Sequence, residues 1–255
     1  MKLHGNMSIK NNTLYIGGVS CVELAKKYST PLYVYDENLI RSNCKEYKKY
    51  FRVKENGNKV AYAGKAFLPL YMCNIINEEN LCLDVVSGGE LYTAYKANFP
   101  MENILFHGNN KTIDEIKMGI ELGVGRFVVD NFYELDIIED LCKNKNITQE
   151  IYFRITPGIE AHTHDYIKTG QIDSKFGFAL INGDLYEAIE KLSKYKNIKL
   201  VGLHAHIGSQ IFDIEPFMDE VDIMMDLIKE IKEKFDIDLK EIDLGGGIGV
   251  YYTKE

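Results

Sequence analysis

The sequence predicts an α/β fold, a (β/α)8-type barrel that is incomplete, with seven βα units to be counted. Two observations carry this. Short β-compatible runs begin at Val60, Leu81, Ile104, Arg126, Ile151, Leu200 and Ile242, with helical stretches between them. Helix-start signals also stand where that alternation needs them. Ser87, Thr112 and Asn131 each precede a glutamate by three residues, at Glu90, Glu115 and Glu134. Alternating strands and helices imply parallel strands joined by crossover helices, and seven such units favour a barrel over an open doubly wound sheet.

Taken in order, residues 1–35 read as a separate strand and helix segment. Thr13 to Ile16 has the composition of a short strand, and Ser20 with Glu23 forms a capping box that opens a helix through Lys27. Pro31 to Tyr35 reads as a further strand, and Asp36 caps a helix towards Tyr50. The barrel is assigned to 36–255. Its last helix, Phe217 to Phe235, carries Val221, Met224, Met225, Leu227, Ile228 and Ile231 as an apolar side, a core stripe and no cofactor box.

Composition narrows the function. The 255 residues are 45% hydrophobic and 27% charged with a formal net charge of −8, an ordinary soluble balance that disfavours a nucleic-acid partner. No run of about 18 apolar residues is long enough to span a membrane, and the opening Met1 to Asn6 has no apolar signal core. Five cysteines, scattered and without a C-x-x-C spacing, suit reduced thiols in the cytoplasm and no zinc knuckle.

In a barrel the chemistry sits where strands end and loops begin. Lys65 follows the first strand, read here as buried, and an amine at such a mouth is suited to a Schiff base with a carbonyl. The competing reading is a strand-end lysine reaching for water. Asp84 closes the second strand towards the same mouth, His107 to Lys111 forms a polar turn after the third, and Arg154 ends the fifth. A long polar stretch then runs to Phe178 with His162, His164, Tyr166, Lys168, Ser174 and Lys175, the pattern of an active-site lid. On the sixth strand, His204 and His206 lie two apart and share a face, next to Ser209. The seventh ends in Gly245, Gly246 and Gly247, whose uncovered amides suit a phosphate. A Rossmann loop is excluded, because its third glycine would fall on Val250. A lysine, a histidine pair and a phosphate cradle on one rim are together satisfied by pyridoxal phosphate.

These segments resemble diaminopimelate decarboxylase. The resemblance rests on Tyr62–Ala66, Asp84–Glu90, His107–Lys111, Pro157–His164, Asp173–Phe178, His204–Gln210 and Gly245–Gly247, in that order along nearly the whole chain. It implies an alanine-racemase-like barrel with a β domain, a pyridoxal 5'-phosphate cofactor, and loss of carbon dioxide from meso-diaminopimelate to give L-lysine. By motif, Lys65 would carry the cofactor and His206 would stack on its ring. Ser209, Gly245, Gly246 and Gly247 would hold the phosphate, Asp84 and Arg154 would line the pocket, and Lys175 would contact a second subunit of a homodimer. No metal is implied. Gly64 and Phe67 depart from the commoner residues beside the lysine without touching the chemistry.

The resemblance also implies an eighth strand and a C-terminal β domain beyond the phosphate loop, to which residues 1–35 would belong, and neither follows before Glu255. On that reading the chain is the larger part of an enzyme, expected to associate and to have negligible decarboxylase activity alone. The alternatives are a related ornithine, arginine or carboxynorspermidine decarboxylase, a non-catalytic remnant, and a metal-dependent barrel hydrolase with His204 and His206 as ligands.

Overall fold

The computed structural model describes residues 3–52, 57–158 and 176–252. They fall into two compact units. One comprises Met1–Tyr62, Asn74–Cys82 and Tyr251–Glu255, and the other Ala63–Cys73 and Leu83–Val250. The lid residues His162, His164, Tyr166, Lys168, Ser174 and Lys175 lie outside the described residues.

The smaller unit begins with an antiparallel sheet of β1 (Ser8–Lys10), β2 (Thr13–Ile16) and β3 (Val19–Ser20). Helix α1 (Cys21–Tyr28) starts at Ser20, whose hydroxyl accepts from the Glu23 amide, and α2 (Glu37–Tyr50) starts at Asp36 in the same way. Arg41 on α2 meets Glu37, Glu78 and Glu79 at 2.8, 2.5 and 3.1 Å. The expected strand at Pro31 to Tyr35 is irregular instead, and Tyr33 is 89% exposed. Its composition is strand-like, but a strand exists only against a partner, and none of the described strands pairs with it.

The strands of the main sheet are β4 (Ala61–Ala63), β5 (Cys82–Val85), β6 (Ile104–Phe106), β7 (Arg126–Val129), β8 (Gln149–Thr156), β10 (Ile198–His204) and β11 (Glu241–Asp243). The two-residue β9 (Phe178–Ala179) pairs with the end of β8. Hydrogen bonds run in the order β11-β10-β8-β7-β6-β5-β4, which is a curled parallel sheet with helices, a partial (β/α)8 barrel. The intervening helices are α3 (Leu70–Glu78), α4 (Gly88–Lys96), α5 (Ile113–Leu122), α6 (Phe132–Lys145), α7 (Asp184–Leu192) and α8 (Glu215–Phe235). The expected caps form: Ser87, Thr112 and Asn131 each accept the amide three residues on, and Thr112 with Glu115 makes a reciprocal capping box.

Two local expectations are corrected. The strand before Lys65 is not buried: β4 is short, lies at the sheet edge and leaves Ala61 and Ala63 exposed. It gives way to a 3-10 turn at Gly64–Ala66, and α3 begins only at Leu70. On α8 the buried stripe is Pro216, Glu220, Met224, Leu227 and Ile231, while Val221 and Met225 face out at 38% and 52% exposure. The stripe steps by four and three residues, so it lies one position away from Val221 and Met225 and brings Glu220 inside.

Curling is visible in two side-chain contacts. On β7, Arg126 reaches Glu241 on β11 through Nε to Oε2 at 3.0 Å and Nη2 to Oε1 at 2.9 Å, and the Tyr152 hydroxyl donates to the same carboxylate at 2.5 Å. Three strand spacings would separate β7 from β11 by roughly 14 Å in a flat sheet, beyond a bidentate pair. At the other end of the strands, His107 after β6 lies 3.7 Å from Asp243 on β11, although four spacings, roughly 19 Å, intervene along the sheet.

Glu220 is fully buried, and neither carboxylate oxygen has a hydrogen-bond partner among the described residues. Burial, with the Asp243 carboxylate adding to it, pushes its carboxyl up to about 8. A folded-state value above the unfolded one means the folded chain holds the extra proton. Stability is then highest below the ordinary glutamate range, near 4.3, and falls as pH rises towards 8. Glu220→Gln should therefore melt a few degrees above the parent at pH 8, and the gap should shrink towards pH 5. A gap that does not change with pH would contradict this.

Candidate active site

Strand register assembles the site. His204 pairs with Asp243 on β11 and with Arg154 on β8, so three functional side chains meet at the carboxyl ends of adjacent strands. Asp84 on β5 and His107, whose amide donates to Val85 O at 2.8 Å, come to the same mouth from the far side of the curl.

Asp243 is the hub. Its Oδ1 accepts the Gly245 amide at 2.8 Å, while Oδ2 lies 3.1 Å from His204 Nδ1 and 3.7 Å from His107 Nε2. His204 thus lies buried against the Asp243 carboxylate. Burial alone would raise the Asp243 carboxyl, but His204, His107 and the Gly245 amide outweigh it and hold the group well below the usual carboxylate range. The two imidazoles stand edge to face with centroids 4.6 Å apart. Burial, and then His204, holds His107 far below the ordinary imidazole range.

Asp84 has the opposite character. Burial pushes its carboxyl up to about 7, the Asp243 carboxylate adds to that, and Lys65 opposes it. Its Oδ1 is buried without a hydrogen-bond partner and lies 3.8 Å from His107. Two carboxyls in one mouth are thus driven apart, one fixed as an anion and one able to hold a proton near neutral pH.

Of the residues singled out in the sequence, Lys65 sits on the 3-10 turn after β4, exposed, and close enough to Asp84 and His206 to bear on both of their charges. His206 lies just beyond β10, and its Nδ1 accepts the Gly246 amide at 3.4 Å. Burial, then His204, lowers His206 to about 4, so its imidazole is neutral at neutral pH. Arg154 lies within β8, two residues short of its end, with its guanidinium 4.1 Å from the Phe176 ring centroid and 3.8 Å from Asp130. Ser209 stands half-buried on the turn after β10.

The glycine run has two bound amides, Gly245 on Asp243 and Gly246 on His206, and one open face. Gly245 and Gly247 take φ +65° and +102°, and a Cβ on Gly247 would lie 2.0 Å from Gly208 O. A Cβ on Gly246 would meet nothing within 4 Å, so this turn opens outward at its centre.

Sequence reasoning missed Asp243, for which the only signal was its place before the glycines, and Asp130, which accepts the Gly177 amide at 3.1 Å. His204 and His206 do not form a ligand pair, since one turns to Asp243 and the other to Gly246. His107, His204 and Asp243 offer ligand atoms within 4.8 Å of one another, a spacing that the hydrogen bond and charge contacts of Asp243 already explain.

The fold and mouth define a pyridoxal-binding barrel, and the chain belongs to the family described as pyridoxal-dependent decarboxylase, pyridoxal binding domain, whose model matches residues 37–255. More particularly, it is 49% identical over its full length to diaminopimelate decarboxylase of Bacillus subtilis, covering 58% of that protein. It also superposes on the crystal structure of diaminopimelate decarboxylase from M. jannaschii with a TM-score of 0.90 at 39% identity, covering 98% of this chain and 58% of that one. The Helicobacter pylori diaminopimelate decarboxylase complexed with L-lysine gives a TM-score of 0.78 at 32% identity, over 92% of this chain and 58% of that one. The chain thus spans a little over half the length of the curated relatives it matches.

Because the folded-state carboxyl of Asp243 is depressed, its contribution to stability is present above the ordinary aspartate range, near 3.9, and is lost as pH falls through it. Asp243→Asn, which keeps an acceptor for Gly245 but no charge, should lose roughly 1.5–3 kcal/mol at pH 7. That loss should narrow below about pH 4. Equal denaturant midpoints at pH 7 would count against the hub.

Proposed function

We propose that the protein is a pyridoxal 5'-phosphate-dependent decarboxylase that converts meso-diaminopimelate to L-lysine and carbon dioxide. The observation that carries this is the convergence of Lys65, Asp84, His206 and the glycine turn on one barrel mouth, in a chain that matches diaminopimelate decarboxylases end to end.

The residues fit the cofactor. The outward-opening face of Gly246 suits a phosphate, and Asp84 Oδ1 is a buried polar atom with no hydrogen-bond partner among the described residues. Lys65 would hold the cofactor through its amine, with Ser209, Gly245, Gly246 and Gly247 at the phosphate and Arg154 and Asp84 lining the pocket. The chemistry supplied by the bound cofactor is an electron sink for the pair left behind when the carboxylate departs.

The chain's own residues do the rest. His206 presents a neutral, flat ring, and the Gly246 amide on its Nδ1 fixes the orientation needed for stacking. The carbon that loses carbon dioxide takes up one proton, and Asp84 Oδ1 can hold one near neutral pH. Asp243 stays anionic and keeps His204 and the glycine turn in place.

The same reading makes the working enzyme a homodimer with Lys175 at its interface, residues 1–35 part of a β domain, and the compartment cytoplasmic. The five free cysteines and the lack of a long apolar helix among the described residues agree with that compartment.

Borohydride reduction of the cofactor-loaded protein and peptide mapping should leave the pyridoxyl group on Lys65. A label on Lys111 would contradict the assignment. Gly246→Val should keep the melting temperature within a few degrees, since its side chain enters open space, yet weaken pyridoxal phosphate binding about tenfold by filling the space beside the turn that the phosphate would occupy. Unchanged cofactor affinity would move the phosphate elsewhere.

A further inference from the structure

Lys111 is 8% exposed, and its ammonium is consumed inside the protein. Nζ donates to Gly108 O at 2.7 Å and Val128 O at 2.9 Å, and lies 2.7 Å from Glu134 Oε1. Two of the ammonium's donors reach backbone carbonyls, and its charge faces the Glu134 carboxylate. Glu134 is equally buried, and its Oε2 accepts the Asp130 amide at 3.0 Å. The pair therefore ties three places together: the turn after β6, the end of β7 and the first turn of α6.

Each tie leads to the mouth. Gly108 is the neighbour of His107, and its φ of +112° with Val86 O only 3.1 Å from a would-be Cβ leaves the turn little room to shift. Asp130, oriented through its amide, faces Arg154 and the Gly177 amide. A buried ion pair is a poor stabiliser next to apolar groups of the same volume, and its best-attested use is to fix one arrangement among several.

We propose that Lys111, paired with Glu134, is a positioning residue that sets His107 and the Asp130–Arg154 pair at the mouth of the cofactor site. It touches neither cofactor nor substrate. The inference rests on the functional reading above for its consequence, but the placement of the 107–111 turn can be measured without that reading.

The test compares the parent with Lys111→Met/Glu134→Met, which replaces the pair by apolar side chains, and with Lys111→Arg, which keeps the charge on a planar fork unsuited to three converging acceptors. Amide exchange is followed in the cofactor-free proteins, and pyridoxal phosphate affinity is measured by titration. Both variants should exchange faster at residues 107–111 and 128–134 and keep parental protection in α8. They should also bind the cofactor about tenfold more weakly, the scale of cost for a displaced supporting group. Glu134→Gln, which leaves one acceptor oxygen and turns a donor NH2 towards either Lys111 or the Asp130 amide, should shift exchange and affinity in the same direction. Parental exchange at 107–111 in whichever variant folds overturns the proposal. A parent that binds no pyridoxal phosphate at all, with the exchange result as expected, would overturn the functional reading and leave the positioning role standing.

Discussion

The mouth of this barrel depends on one carboxylate. Asp243 stands at the last position of β11, yet its partners come from β10, from the turn after β6 and from its own glycine run. Bringing the β6 and β11 ends within 3.7 Å through side chains requires the sheet to curl, since about 19 Å of sheet would otherwise separate them. The Arg126–Glu241 pair makes the same demand at the opposite ends of the strands. These two polar clusters therefore couple closure of the curl to assembly of the site.

The electrostatics follow from that assembly. An anion at Asp243 is held by its contacts with His204 and the Gly245 amide, and its charge then disfavours ionisation of Asp84, which burial already opposes. The same burial holds His107 and His206 neutral. The site thus offers a fixed anion, a protonatable acid, a neutral flat ring and an exposed amine within one mouth, a division of labour suited to a cofactor that carries the hard chemistry itself. Charges that the site does not use, Lys111 and Glu134, are paired beneath it.

Much of this was legible in the sequence because it is local. The Ser87, Thr112 and Asn131 caps form as their spacing requires, and the seven strands begin within two residues of their expected starts. Lys65, His206 and the glycine run were visible as residues just past strand ends. What could not be read depends on distant partners. Pro31 to Tyr35 has strand composition but pairs with no described strand. Glu220 is polar by type and buried by the phase of its helix. Asp243 and Asp130 gain their roles largely from residues distant in sequence, His204 and His107 for the one and Arg154 and Gly177 for the other, through the register of β10 with β8 and β11 and the return of the chain at Gly177.

The central claim is that Asp243 and His107 support each other across the curl. A double-mutant cycle in stability at pH 7, built from Asp243→Asn, His107→Ala and the pair, tests it most directly. If the two are coupled as the geometry requires, the double variant should deviate from additivity by about 1 kcal/mol or more. Additivity within about 0.5 kcal/mol would mean the two ends of the sheet are brought together by something else.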